Sequence, residues 1–173
     1  MALRLLSIIL LSSLLFSCKK TEENTTEDTQ DITIKPVSEV DISKINYTEY
    51  VLDSKTKTAT ESWLKYQEFE QVIHQVKEGD LSYFHDSDRE NTIRNFFIAF
   101  RKAIPDTINT PAISARILAL ETKTHKLESF ANLSTTSEEE LNKTIKEFLV
   151  SFSNLTLQMN KKLEKDSQTI EKP

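Results

Sequence analysis

His85-Asp86-Ser87-Asp88 puts an imidazole and two carboxylates within four residues. Such a group could ligate a divalent cation. At a helix start the same acids also serve as caps for free backbone N–H groups, and that is the preferred reading. The other histidines, His74 and His125, form no HExxH motif and no pair at i, i+4, so no zinc helix is indicated. Serines are plentiful, but one glycine in the whole chain makes a GxSxG nucleophile elbow impossible. No DxDxDG loop for calcium is present. Arg116 stands three residues after Ile113 and four before Leu120, on the edge of an apolar stripe. An inward guanidinium there could meet an anionic ligand; a long side chain that snorkels or pairs with a helix carboxylate is the plainer reading. Trp63, Tyr66, Phe69, Phe96, Phe97 and Phe100 could line a pocket, yet their helical spacing reads first as core. No catalytic residue is identified, no cofactor is implied, and the chain is not expected to be an enzyme.

The only cysteine, Cys18, sits between a greasy run and a charged one. Met1 to Arg4 give a short positive start, and Leu5 to Phe16 are apolar apart from Ser7, Ser12 and Ser13. The run is shorter than the roughly 20 residues of a membrane span. It has the size of a signal-peptide core. Leu15-Phe16-Ser17-Cys18 resembles the lipobox of bacterial lipoproteins, in which Leu stands at −3, a small residue at −1 and Cys at +1. Phe16 departs from it, since the family usually has a smaller residue there. The resemblance covers about a tenth of the chain. It implies diacylglycerol on the Cys18 thiol, cleavage before Cys18 and anchoring in the bacterial cell envelope. The implied location is the periplasmic face or the cell surface of the outer membrane. Several acyl chains on one residue anchor firmly where a single chain is marginal, because each buried methylene contributes about 0.8 kcal/mol. Lys19-Lys20-Thr21-Glu22-Glu23 is similar to the surface-export signals of lipoproteins from the Bacteroidota phylum. Asp106-Thr107-Ile108 resembles that phylum's short O-glycosylation site, which makes Thr107 a candidate. The chain as a whole looks like small helical lipoproteins of the same phylum, a likeness that carries no activity.

The elements that would hold these residues follow from composition and period. The chain has 173 residues, 22 of them basic and 27 acidic, with one Gly and four Pro. So little glycine excludes Gly-rich phosphate loops and argues against a sheet protein with many tight turns. The acidic balance disfavours nucleic acid as a partner. Residues 18–39 are rich in Thr, Glu, Asp and Asn and are expected to form a disordered tether. Residues 40–53 are an apolar arm without clear period, either extended or a short helical turn.

Four segments carry helical period. The first runs from between Ser54 and Thr58 to about Glu78, with a Thr58/Glu61 capping box and Gly79 as its stop. The second runs from about Asp88 to Ala103, with a Ser87/Glu90 box and the stripe Ile93, Phe96, Phe97, Phe100 and Ile104. The third opens on Thr110-Pro111 and carries Ile113, Ile117, Leu120, Thr124, Leu127 and Ala131. The fourth opens on Ser137 and Glu140 and carries Leu141, Ile145, Phe148, Phe152, Leu155 and Met159. Burying one apolar face of each predicts an all-α fold, an antiparallel bundle of three to four helices over residues 54–166, with 167–173 fraying. The expected function is that of a membrane-anchored envelope lipoprotein with a helical binding or accessory domain, for which an envelope protein is one candidate partner. Two alternatives remain open: an enzyme or small-ligand binder with an unrecognised site inside the bundle, and a structural protein that self-associates through the fourth segment.

Overall fold

The computed structural model describes Ile42 and residues 45–85 and 88–168, with Arg89 and Glu90 as backbone only. Leu15, Phe16, Ser17, Cys18, the tether 18–39, Asp86, Ser87 and most of the 167–173 tail lie outside the described residues, and so does the Ser87/Glu90 box. Those described are all-α, without a strand: α1 Ser54–Thr60, α2 Leu64–Lys77, a 3-10 turn Ser82–Phe84, α3 Arg89–Lys102, α4 Pro111–Asn132 and α5 Glu138–Ser167. None of these helices is long and apolar enough to cross a membrane.

The first expected helix is two. Asp53, not Thr58, caps α1, its carboxylate accepting from the Thr56 N–H at 2.7 Å. The chain then turns at 61–63, where the Glu61 N–H donates to the Thr58 carbonyl at 3.3 Å and the Trp63 N–H to the Thr60 carbonyl at 2.9 Å. Three threonines in seven residues make α1 a weak helix former. The break also lets Trp63 enter the core, fully buried, with its indole N–H donating to the Phe100 carbonyl at 3.0 Å. A buried indole donor needs such a partner, and a continuous helix from residue 54 to 78 would fix Trp63 to a single rotational phase.

The other ends match their sequence signals. α2 stops in a Schellman motif at Gly79, whose φ is 85°. The Gly79 N–H returns to the Val76 carbonyl at 3.1 Å and the Asp80 N–H to the Gln75 carbonyl at 3.0 Å. The Thr110 hydroxyl caps α4 by accepting from the Ile113 N–H at 3.3 Å, with Pro111 in the first turn. α5 opens with both halves of a capping box between Ser137 and Glu140, each at 3.2 Å. α3 differs, because Asp88 precedes it without a side-chain cap bond.

α4 and α5 are the closest-packed pair, joined by the short connector 133–137. Across their seam, Glu147 of α5 takes Lys123 at 2.9 Å and Lys126 at 2.8 Å. The core is a single aromatic-rich cluster. Phe69 is fully buried and has Phe96, Phe97, Phe100, Phe148 and Phe152 within 6.1 Å, centroid to centroid. Each fully buried phenyl contributes about 1.5–3 kcal/mol. α5 is long because it closes this core along its whole apolar face: Leu141, Ile145, Phe148, Leu155 and Met159 are all buried within the chain.

The arm has no regular secondary structure over residues 45–53. Its stretch 48–53 lies on α5, held by two polar side chains seven residues apart on one face of that helix. Ser153 accepts from the Tyr50 N–H at 2.8 Å and donates to the Thr48 carbonyl at 2.9 Å. Asn160 accepts from the Asp53 N–H at 3.2 Å and donates to the Val51 carbonyl at 2.8 Å. A side-chain amide can serve backbone outside regular structure in this way, since it presents both donor and acceptor. Ile42, Ile45, Tyr47 and Leu52 pack in part against the core. Glu49 forms an ion pair with Lys77 of α2.

Candidate functional site

Where the arm, α1, α2 and α5 meet, a cleft of about 430 Å³ opens to solvent. Leu52, Ile73, Phe152 and the ring of Tyr66 give it apolar surface, and charged side chains from the arm, α1 and α2 stand around them. The volume lies within the usual range for small-molecule sites, about 300–1,000 Å³.

Tyr66 is the residue of interest. Its side chain packs between Trp63, centroid to centroid 5.3 Å, and Phe152 at 5.6 Å, and only 1% of the residue is exposed. Its hydroxyl is buried without a hydrogen bond of ordinary geometry. Thr156 and the Glu70 carboxylate stand close enough to act on its proton. Thr156 already donates to the Phe152 carbonyl at 3.3 Å. Burial pushes the phenol well above its ordinary value, Thr156 opposing and Glu70 adding to the rise. A buried hydroxyl without a partner is costly, so few are left so in folded proteins. Among the described residues, three other buried polar side-chain atoms share this state, on Thr56, Thr136 and Asn142, and none of those residues lines the cleft.

Glu70 lies one helical turn after Tyr66, so the two share a face of α2. Burial raises its carboxyl above the ordinary value, more than Lys57 and the Tyr66 hydroxyl lower it. Lys57 acts through space, with no hydrogen bond to Glu70. Lys77 is held by Glu49. His74 is exposed and faces Glu78 at 3.4 Å.

The sequence-derived candidates lie elsewhere. His85 is exposed, its Nδ1 3.2 Å from Asn132 Oδ1, while Asn132 donates to the Phe84 carbonyl at 2.7 Å. Asp88 organises the start of α3, its carboxylate accepting from the Asn91 amide at 2.9 Å and its carbonyl from the Thr92 hydroxyl at 3.0 Å. No cluster of His, Cys, Asp and Glu able to hold a metal occurs among the described residues. Arg116 is exposed rather than inward. It borders a shallow groove of about 210 Å³ between α4 and α5 with Lys123, Glu147 and Asn154. One helical step of about 100° from the stripe is enough to carry a long polar side chain to solvent. Thr107 is exposed in the loop before α4, beside the buried Ile108. Of the six aromatics, five are buried outright and Phe96 in part; Tyr66 alone of them borders the cleft.

Sequence reasoning reads Tyr66 first as a core aromatic, among six that could line a pocket, and does not single out Glu70. The available signal was a phenol, the one stripe aromatic with an ionisable group, followed by an acid at i+4. Ser153 and Asn160 carried a signal too, as polar residues at heptad spacing beside an apolar stripe. No protein-family model, curated protein or solved structure matches the chain.

Proposed function

We propose that this chain is a lipid-anchored protein of the bacterial envelope whose helical domain binds a partner or ligand rather than catalysing a reaction. The observation that carries the binding half is the cleft: a preformed concavity of about 430 Å³ with apolar surface and charged side chains around it. The anchoring half rests on the apolar run ending in Leu15-Phe16-Ser17-Cys18 and on the resemblance of that stretch to a lipobox. Its location on the periplasmic face or the cell surface of the outer membrane belongs to the same reading. Self-association through the fourth helical segment is the less favoured reading, since Leu141, Ile145, Phe148, Leu155 and Met159 of that stripe are buried within the chain.

Labelling with an alkyne fatty acid tests the anchor. The unaltered chain takes up label and partitions into detergent on phase separation. Cys18→Ala takes up none and partitions into water. Label retained by the variant moves the anchor elsewhere and overturns this half of the reading.

A further inference from the structure

We propose that the arm and α1 form an exchangeable unit. The chain straightens at residues 61–63, and each of two copies lays its arm and α1 on the α5 of the other, so that two chains build each cleft. This exchange is independent of what the cleft binds.

A helical pattern runs through the break. Thr56 and Ala59 of α1 turn inward in whole or in part, and Trp63, Tyr66, Phe69 and Ile73 are buried after them. They recur at steps of three and four, so a single helix from Ser54 to Lys77 would carry them on one broad face. No Gly or Pro interrupts residues 54–78. Glu61 already has helical angles, φ −55° and ψ −36°. Trp63, at φ −90° and ψ 75°, departs from them. Tertiary contact holds the break: the buried Trp63 ring and its N–H bond to the Phe100 carbonyl. Against that contact, the short α1 gains backbone hydrogen bonds by continuing into α2, since elongation needs no new nucleus.

The unit is held by elements that a second copy also offers. α1 packs on α5, and the arm is fastened to the same helix through Ser153 and Asn160. Glu49 adds the ion pair with Lys77 of α2. Nothing in these contacts depends on which chain supplies the arm. Reciprocal exchange forms each of them twice, closes on a two-fold axis and leaves no arm site empty. The apolar stripe of α5 stays inside the bundle throughout, so no exposed apolar face is required. Tyr50, Val51 and Leu52 of the cleft wall then come from one copy, and Ile73 and Phe152 from the other.

The Glu49–Lys77 pair reports which chain the arm lies on. Full chains, one batch grown on heavy nitrogen and one on ordinary nitrogen, are unfolded together and refolded in mild detergent at high concentration. A carbodiimide then joins carboxylates to lysine amines already in contact, and monomer and dimer are separated. Mass spectrometry weighs the peptide pair linked through Glu49 and Lys77. The monomer is expected to give only single-isotope pairs, and the dimer to give mixed-isotope pairs as well. Ser62 in the break is exposed, so substitutions there leave the core untouched, and melting curves confirm it. Ser62→Ala tightens the dimer and Ser62→Gly loosens it, by about fivefold each, because helix propensity acts at both hinges. A dimer whose Glu49–Lys77 pairs are all of single isotope joins through another face and overturns the proposal. A Ser62→Ala chain that stays monomeric at the highest concentration reached overturns it too, as does a dimer indifferent to both substitutions.

Discussion

Glu147 shows how one side chain can tie two helices and make their union depend on pH. It accepts from Lys123 and Lys126, and these two hydrogen bonds hold its carboxyl down, from an ordinary 4.5 to about 2. A carboxylate with a lowered folded-state pKa stabilises the fold above its unfolded value. That contribution disappears as pH falls through the folded value. The pair is partly solvated, so its worth is at most about 1 kcal/mol. Glu147→Gln is therefore expected to melt a few degrees below the unaltered chain near neutrality. The gap should close as pH drops from about 4.5 to about 2. A gap that stays constant over that window would remove the ionic explanation. Neither lysine partner could be assigned from sequence, because i, i+3 and i, i+4 rules pair residues within a helix and Glu147 pairs across two.

At the scale of elements, the end of α2 depends on one residue. Gly79 has φ of 85°, the only positive φ among the described residues, and it is buried. A Cβ there costs about 1–2 kcal/mol from backbone strain alone. It also needs room that a buried position lacks. Gly79→Ala should lower the melting temperature by several degrees while leaving helicity at low temperature intact; an unchanged melting curve would mean the Schellman turn does not hold this corner. Gly79, Thr110-Pro111 and Ser137/Glu140 were legible in the sequence, since each signal is local and fixes one backbone conformation. The break at residues 61–63 was not. It is decided by where the Trp63 ring and its N–H find space against α3, a contact 37 residues away. The arm was illegible for the same reason: a stretch without period reveals nothing until Ser153 and Asn160 are known to lie beside it. The cleft follows from the arm, which supplies Glu49, Tyr50, Val51 and Leu52 to its wall.

For the molecule as a whole, one hydrophobic cluster joins every helix from α2 to α5, and the arm and α1 contribute partly buried residues to it. With no second core among the described residues, the helical part should unfold in one step. In guanidinium chloride the loss of helix by circular dichroism and the change in Trp63 emission are expected to share a midpoint. Separate midpoints would mean that part of the bundle melts alone. The all-α class was legible at this scale from the scarcity of glycine and four capped stripes, because a helix that is apolar on one face has few ways to hide it.

The docking of the arm on α5 also fixes how the fold answers a mechanical load. Tension applied upstream of residue 45 enters through the arm, and it reaches the Ser153 bonds to Thr48 and Tyr50 before the Asn160 bonds to Val51 and Asp53. α5 anchors these bonds and is braced along its length by the core, so the arm yields before the bundle does. The arm residues between and around the two fasteners form one side of the cleft. Cleft and upstream chain are thus mechanically in series: a pull that peels the arm away opens that wall, and an occupant gripping it resists the pull.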